Sequence, residues 1–224
     1  MRRLLPSRCL LCGDRGTAID LCIGCQRDLP WLQHACRCCG IAVPATVTYC
    51  AACQQQPPPF ATLRAPFRYQ SPIRELIIDF KFHRRLAIAP LLASLLALRI
   101  TSPLPDLLLP VPLHRQRLQA RGFNQALELA RPLARQFQIP LDRQQWCQRQ
   151  RATATQSTLN AAERHANLSA AFRVTRPLTG MSVAIIDDVV TTGTTVSELS
   201  TTLRAAGAQR IEVWCVARAG YSAV

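Results

Sequence analysis

Lysine is all but missing from this chain. Lys81 is the only one among 27 basic residues, set against 13 acidic ones in 224 residues. The net charge of +14 is therefore almost wholly arginine. Such a bias can come from genome composition alone, so the charge suits an anionic partner without saying which. Aromatic residues are also few, at 6%. Trp31 and Tyr49 are the main stacking candidates near the N-terminus, too few for a broad single-strand platform. Long apolar runs are lacking as well. The longest, Leu86 to Leu98, contains Pro90 and falls far short of the roughly 20 residues of a membrane span, so no membrane insertion is expected. Met1-Arg2-Arg3-Leu4-Leu5 opens like a secretory signal, but Pro6, Arg8 and Cys9 interrupt any apolar continuation, and a cytoplasmic location is the expectation.

What is present is concentrated. Hydrophobic residues make up 49% of the chain, enough for one α/β domain with a small appendage. Nine of the eleven cysteines fall between Cys9 and Cys53, and eight form four Cys-x-x-Cys pairs: Cys9/Cys12, Cys22/Cys25, Cys36/Cys39 and Cys50/Cys53. A lone pair could be a redox site, and a secreted protein would use disulfides. Four pairs in a stretch with little apolar filling point instead to structural Zn²⁺, which takes four thiolates tetrahedrally and leaves no open position for substrate. The first two pairs are nine residues apart and the last two ten, an internal duplication that predicts a double zinc ribbon with two ions. Sequential pairing puts Cys9, Cys12, Cys22 and Cys25 on one ion and Cys36, Cys39, Cys50 and Cys53 on the other; an interleaved pairing is the alternative, because spacing does not fix connectivity. Cys38 is a spare, and Cys147 and Cys215 lie in strand-like contexts as buried apolar residues. From Arg8 to Cys53 four arginines face three aspartates, which argues against a strong nucleic-acid patch there.

The second concentration is Ser182 to Thr195, Ser-Val-Ala-Ile-Ile-Asp-Asp-Val-Val-Thr-Thr-Gly-Thr-Thr. Val183 to Ile186 reads as a buried strand of a parallel sheet, with Asp187 and Asp188 where it should end. Val196, Leu199 and Leu203 then recur at helical spacing, and Gly207 is placed to stop that helix. A helix start presents unpaired N–H groups and partial positive charge to a phosphate. Gly193 permits close backbone approach, and the hydroxyls of Thr191, Thr192, Thr194 and Thr195 can donate to phosphate oxygens. Carboxylates beside such a loop are good acceptors for vicinal ribose hydroxyls. The plain alternative is a strand, an Asx turn and a Thr-capped helix.

Between the two concentrations, Gln54 to Pro59 reads as a semi-rigid spacer and Leu63 to Tyr69 as an extended segment. Ile73, Leu76, Ile77 and Phe80 make one face of a helix. Lys81, His83, Arg84 and Arg85 form a basic knot, read as a solvated turn, before a second apolar helix. Leu107 to Leu109 suits a central strand ended by Pro110 and Pro112. Arg115, Arg117 and Arg121 follow it, where open α/β sheets bind ligands. Asn124 is placed to start a helix that Pro132 should bend or break. Residues 149 to 167 lack a core face, which fits either a disordered connection or a functional lid. Short strands are expected from Phe172 and over Ile211 to Ala217.

The Asp-Asp and Thr-Thr-Gly-Thr-Thr string closely resembles the phosphoribosyl pyrophosphate (PRPP) motif of type I phosphoribosyltransferases. Together with the four knuckles, Arg121-Gly122-Phe123-Asn124-Gln125 and the spacing of Arg151, Gln156, Arg164 and Asn167, the chain resembles the ComF/GntX family, phosphoribosyltransferase-like proteins associated with competence and DNA utilisation. That resemblance implies a mostly parallel sheet flanked by helices: a double zinc ribbon at 1–56, a Pro-rich linker and lead-in at 57–71, and a phosphoribosyltransferase-like domain at 72–224. It implies ribose hydroxyls on Asp187 and Asp188, the 5′-phosphate on Thr191, Thr192, Gly193, Thr194 and Thr195, and pyrophosphate with Mg²⁺ near Arg115, Arg121 and Arg151. An acceptor of the phosphoribosyl group remains unspecified. A PRPP-sensing regulator without turnover and an adaptor for single-stranded DNA, with competence or recombination proteins as partners, stand as alternatives.

Overall fold

The computed structural model describes residues 8–143, 146–150 and 171–220. A parallel sheet runs in the order β1 (Thr62–Arg64), β7 (Arg210–Arg218), β6 (Ser182–Val190), β3 (Leu107–Pro110), and β2 (Phe67–Arg68) pairs with β7 beyond β1. The extended reading of Leu63 to Tyr69 is thus realised as two short strands of the main sheet. β4 (Cys147–Arg149) and β5 (Phe172–Val174) form a separate antiparallel pair.

Both faces of the sheet are buried, which is why β6 and β7 read as near-continuous apolar runs. Ala184, Ile186, Trp214 and Val216 face a layer of α3 (Ile73–Phe82), α4 (Ile88–Ala97) and α6 (Gln125–Phe137). Val183, Ile185, Val213 and Cys215 face α7 (Thr194–Ala205) and the β4–β5 pair. The expected α3 face of Ile73, Leu76, Ile77 and Phe80 is buried as its spacing requires. Asn124 caps α6 by accepting from the amides of Ala126 and Leu127 at 2.9 and 3.3 Å, while its Nδ2 donates to Val111 O. Pro132 does not end α6, which continues to Phe137. The missing donor costs one helical bond at most, and burial of Leu129, Ala130 and Leu133 holds the helix together.

The cysteine-rich segment builds the same hairpin twice. Cys9 N donates to Asp14 O and Gly13 N to Cys9 O; Cys36 N donates to Ile41 O and Gly40 N to Cys36 O. Gly13 and Gly40 both have positive φ, 81° and 68°, as a tight knuckle needs. At Gly40 a Cβ would also strike the Leu63 side chain, so the second ribbon sits directly on β1. The two ribbons straddle the sheet edge. Leu21 and Leu29 join the α3–α4 side of the core, Leu32 joins the α7 side, and Trp31 stacks on Phe67 at 4.7 Å. Two short helices, α1 (Ile23–Arg27) and α2 (Ala51–Gln55), start at Cys22 and Cys50. α5 (Arg115–Arg121) follows β3.

Candidate functional site

The cysteines sort sequentially. Cys9, Cys12, Cys22 and Cys25 form one cluster and Cys36, Cys39, Cys50 and Cys53 the other, with all ligand atoms in each within 4.8 Å of one another. Cys12 Sγ lies 3.7 Å from Cys22 Sγ, and Cys39 Sγ 3.7 Å from Cys50 Sγ. A tetrahedron with Zn–S bonds of about 2.3 Å has edges of about 3.8 Å, so both clusters fit Zn²⁺. Their charge state fits too. Burial works against the Cys9 thiolate, but surrounding backbone amides bring it down to about 6, while its neighbour Cys25 is pushed up by Cys22 and Cys12. Four thiolates side by side repel, and a divalent cation removes that repulsion. Cys38 stands outside both quartets, and Cys147 and Cys215 are buried in strands, as expected.

At the C-terminal end of the strands, β6 runs on to Val190, four residues past Ile186, where the sequence suggests it should stop. Val189 and Val190 pair with Ala217 and Arg218 of β7, and this extension carries both aspartates inside the strand. Strand alternation then separates them. Asp188 is buried, with Oδ2 2.5 Å from Lys81 Nζ and Oδ1 accepting from Val189 N. Asp187 is half-buried on the opposite side of the strand. Burial raises its carboxyl to about 6, while the charges of Lys81, Arg149 and Arg121 pull it down. Burial lowers Lys81 below the usual ammonium range, with Asp187 opposing and Arg121 adding to the drop. Asp187 thus sits among three cations, of which Lys81 also meets Asp188 and Arg149 also feels Glu198.

Beyond β6 the chain turns through Gly193 at φ +83°, which starts α7 with no side-chain cap. Thr194 N reaches Thr192 Oγ1 at 3.4 Å, and a helix start of this kind presents its first-turn amides to an anion. Thr192 and Thr194 join hydroxyls at 2.9 Å across the turn. Asp187 and Thr191 to Thr195 line a hollow of about 40 Å³. Arg218, buried at the end of β7, fastens the base of this loop. Its guanidinium donates to Val190 O at 3.2 Å, to Thr191 O and Ala219 O, and through Nε to Cys39 O at 2.9 Å. A backbone carbonyl of the second cysteine cluster and the start of the Thr loop therefore share one side chain.

Of the expected arginines, Arg121 lies close enough to act on Asp187, whereas Arg115 is exposed at the first position of α5. Arg151, and with it Gln156, Arg164 and Asn167, lies outside the described residues. Two residues were missed. Lys81 was read as part of a solvated turn, but it follows Ile77 by four residues and so extends the buried face of α3 toward β6. Arg149 shares the face of β4 with buried Cys147 and stacks on Phe172 at 5.4 Å. Arg84 and Arg85 remain exposed, and His83 meets Asp79 at 2.9 Å on the surface. Lys81, Arg84, Arg117 and Arg121, with the ring of Phe82, line a basic hollow of about 290 Å³.

Sequence comparison agrees with this division of chemistry. Residues 1–54 match the model of the double zinc ribbon domain, and residues 124–223 match that of the phosphoribosyl transferase domain. The fold and the two clusters thus define a double zinc ribbon joined to a phosphoribosyltransferase-type α/β domain. DNA utilization protein YhgH of Salmonella typhi is 40% identical over 96% of this chain and 98% of its own length; the protein of that name from Escherichia coli K12 is 38% identical over the same shares. Competence protein F of Haemophilus influenzae is 35% identical over 98% of this chain and 100% of its own. The chain belongs to this ComF/YhgH family.

Proposed function

We propose that the protein binds PRPP with Mg²⁺ between Asp187 and the Thr loop and transfers the phosphoribosyl group to an acceptor. The observation that carries this reading is the half-buried Asp187, ringed by Lys81, Arg121 and Arg149 and opening onto an uncapped helix start. Asp187 accepts from the ribose hydroxyls, and Asp188 acts through Lys81, whose ammonium it fixes. The amides and hydroxyls of Thr191, Thr192, Gly193, Thr194 and Thr195 take the 5′-phosphate. Among the described residues the groups of three or more metal-ligating side chains are the two cysteine quartets, so those residues offer no carboxylate cage for a hard cation. Mg²⁺ accordingly fits as an ion held mainly by diphosphate oxygens and water, where it would offset the charge of the departing anion.

The leaving diphosphate faces Lys81 and Arg121, with Arg117 behind them. As it departs from the anomeric carbon the sugar gains oxocarbenium character, and these fixed cations stabilise the anion where it forms. The relatives' names, DNA utilization protein and competence protein, support assigning this chemistry to DNA utilisation or competence. Incubating the protein with PRPP, Mg²⁺ and a panel of nucleobases and amines tests turnover. Acceptor-dependent pyrophosphate release supports it; none with any acceptor, despite tight PRPP binding, favours a sensor. A second reading rests on Phe82, whose side chain is 66% exposed beneath the Arg121 guanidinium at 5.5 Å. An exposed ring among arginines suits a stacked base of single-stranded DNA. Loss of single-strand affinity in Phe82→Ala, with PRPP affinity kept, would support that use.

A further inference from the structure

A large cleft lies apart from Asp187 and Asp188. It has a volume of about 840 Å³ and lies between α2 of the second ribbon and the outer side of α7. Thr192, Gly193 and Thr194 line both this cleft and the small hollow, whereas Asp187 lines only the hollow. The order along the surface is therefore carboxylate, Thr loop, cleft. We propose that the cleft holds a nucleoside attached through the ligand's 5′-phosphate, so that the site takes ribose linked by phosphate to a second nucleoside. This rests on the phosphoribose reading just given and deepens it. If the ribose hydroxyls meet Asp187 and the phosphate sits on the loop, the cleft is where a second substituent on that phosphate must go.

The walls suit a heterocycle. Pro58, Phe60, Ile41 and Phe172 give apolar surface, and the size is that of a small-molecule site, about 300–1,000 Å³. One half-buried carboxylate, Glu198, lies in the lining. Its Oε1 accepts from Ala171 N at 3.2 Å, and burial raises its pKa. The second carboxylate oxygen can accept from an exocyclic amine. Thr201 and Thr202 line the same wall; their hydroxyls donate to Ser197 O and Glu198 O at 3.1 Å each, which leaves them as acceptors. The same chemistry could come from a free nucleoside-diphosphate sugar or from the 3′ end of an RNA strand, whose last ribose keeps both hydroxyls.

Calorimetric titration of the zinc-loaded full chain with ribose 5-phosphate, ADP-ribose and the diribonucleotide ApA separates these cases. At least one of the two larger ligands should bind about tenfold or more tightly than ribose 5-phosphate, the gain expected from burying one heterocycle. Preference for ADP-ribose indicates the diphosphate-linked source, and preference for ApA the strand end. Two variants fill the cleft from opposite walls, Thr201→Trp on α7 and Ala52→Trp on α2. Each should abolish the advantage while leaving ribose 5-phosphate affinity unchanged, which also shows that the variant is folded. Equal binding of all three ligands, or an advantage that survives both variants, overturns the cleft assignment and leaves the phosphoribose site standing. No binding by any ligand overturns both.

Discussion

Asp187 and Asp188 are neighbours in sequence with different physics. The carboxyl of Asp187 titrates at about 6 against an ordinary 3.8. The folded chain therefore keeps that proton over a range where the unfolded chain has released it. Its ionisation costs stability progressively as pH rises from about 4 through about 6, and fully above that. Asp187→Asn should remove this part of the slope, and at pH 7 its Tm should equal or exceed that of the parent chain. A lower Tm at pH 7 would mean that the carboxylate is a structural partner of Lys81, Arg121 and Arg149. Asp188 is buried and meets Lys81 at 2.5 Å. Lys81→Met should destabilise by about 3 kcal/mol, the low end for breaking a buried pair since the lysine side chain is 20% exposed. Denaturant titration of Lys81→Met, Asp188→Leu and the double variant measures the coupling. Strictly additive losses would show that the pair contributes nothing of its own.

The elements divide by how local their instructions are. α3, α6, α7, β6 and β7 follow from side-chain periodicity, from Asn124 as a cap and from Gly193 as a turn, all visible within a dozen residues. The two cysteine quartets were legible as ligands in sequential pairs, and the fold excludes the interleaved alternative that spacing alone allows. Lys81 and Arg149 could not be read as site residues, because what makes them so is the register of α3 and β4 against the end of β6. The role of Arg218 was equally hidden: it reaches Cys39 O, 179 residues away in the chain, and also holds the Thr loop. That bridge predicts unequal consequences for the two zinc sites. Cys50→Ser should loosen the second ribbon and weaken phosphate binding at the Thr loop, whereas Cys22→Ser, at the cluster on the α3–α4 side, should leave it nearly unchanged. Phosphorus NMR titration of both variants with ribose 5-phosphate reads the difference. Equal losses in the two would show that Arg218 carries no such coupling.

At the scale of the whole molecule, the double ribbon and the α/β domain are not beads on a linker. Leu21, Leu29 and Leu32 of the ribbons enter the two cores on either side of the sheet, and Trp31 closes over Phe67 at its edge. Unpaired edge strands invite association, and a zinc-held cover removes that hazard while placing α2 opposite α7. Structural metal in one half and the proposed ligand site in the other thus become parts of one surface. What this surface is for depends on whether Asp187 and the Thr loop hold a phosphorylated ribose. The most direct measurement is calorimetric titration of PRPP with Mg²⁺ into the zinc-loaded chain and into Asp187→Asn. One site per chain is expected, and the variant should lose roughly 1.5–3 kcal/mol of binding free energy, the range for a charge-assisted hydrogen bond. Unchanged PRPP affinity in a folded Asp187→Asn protein would contradict the account.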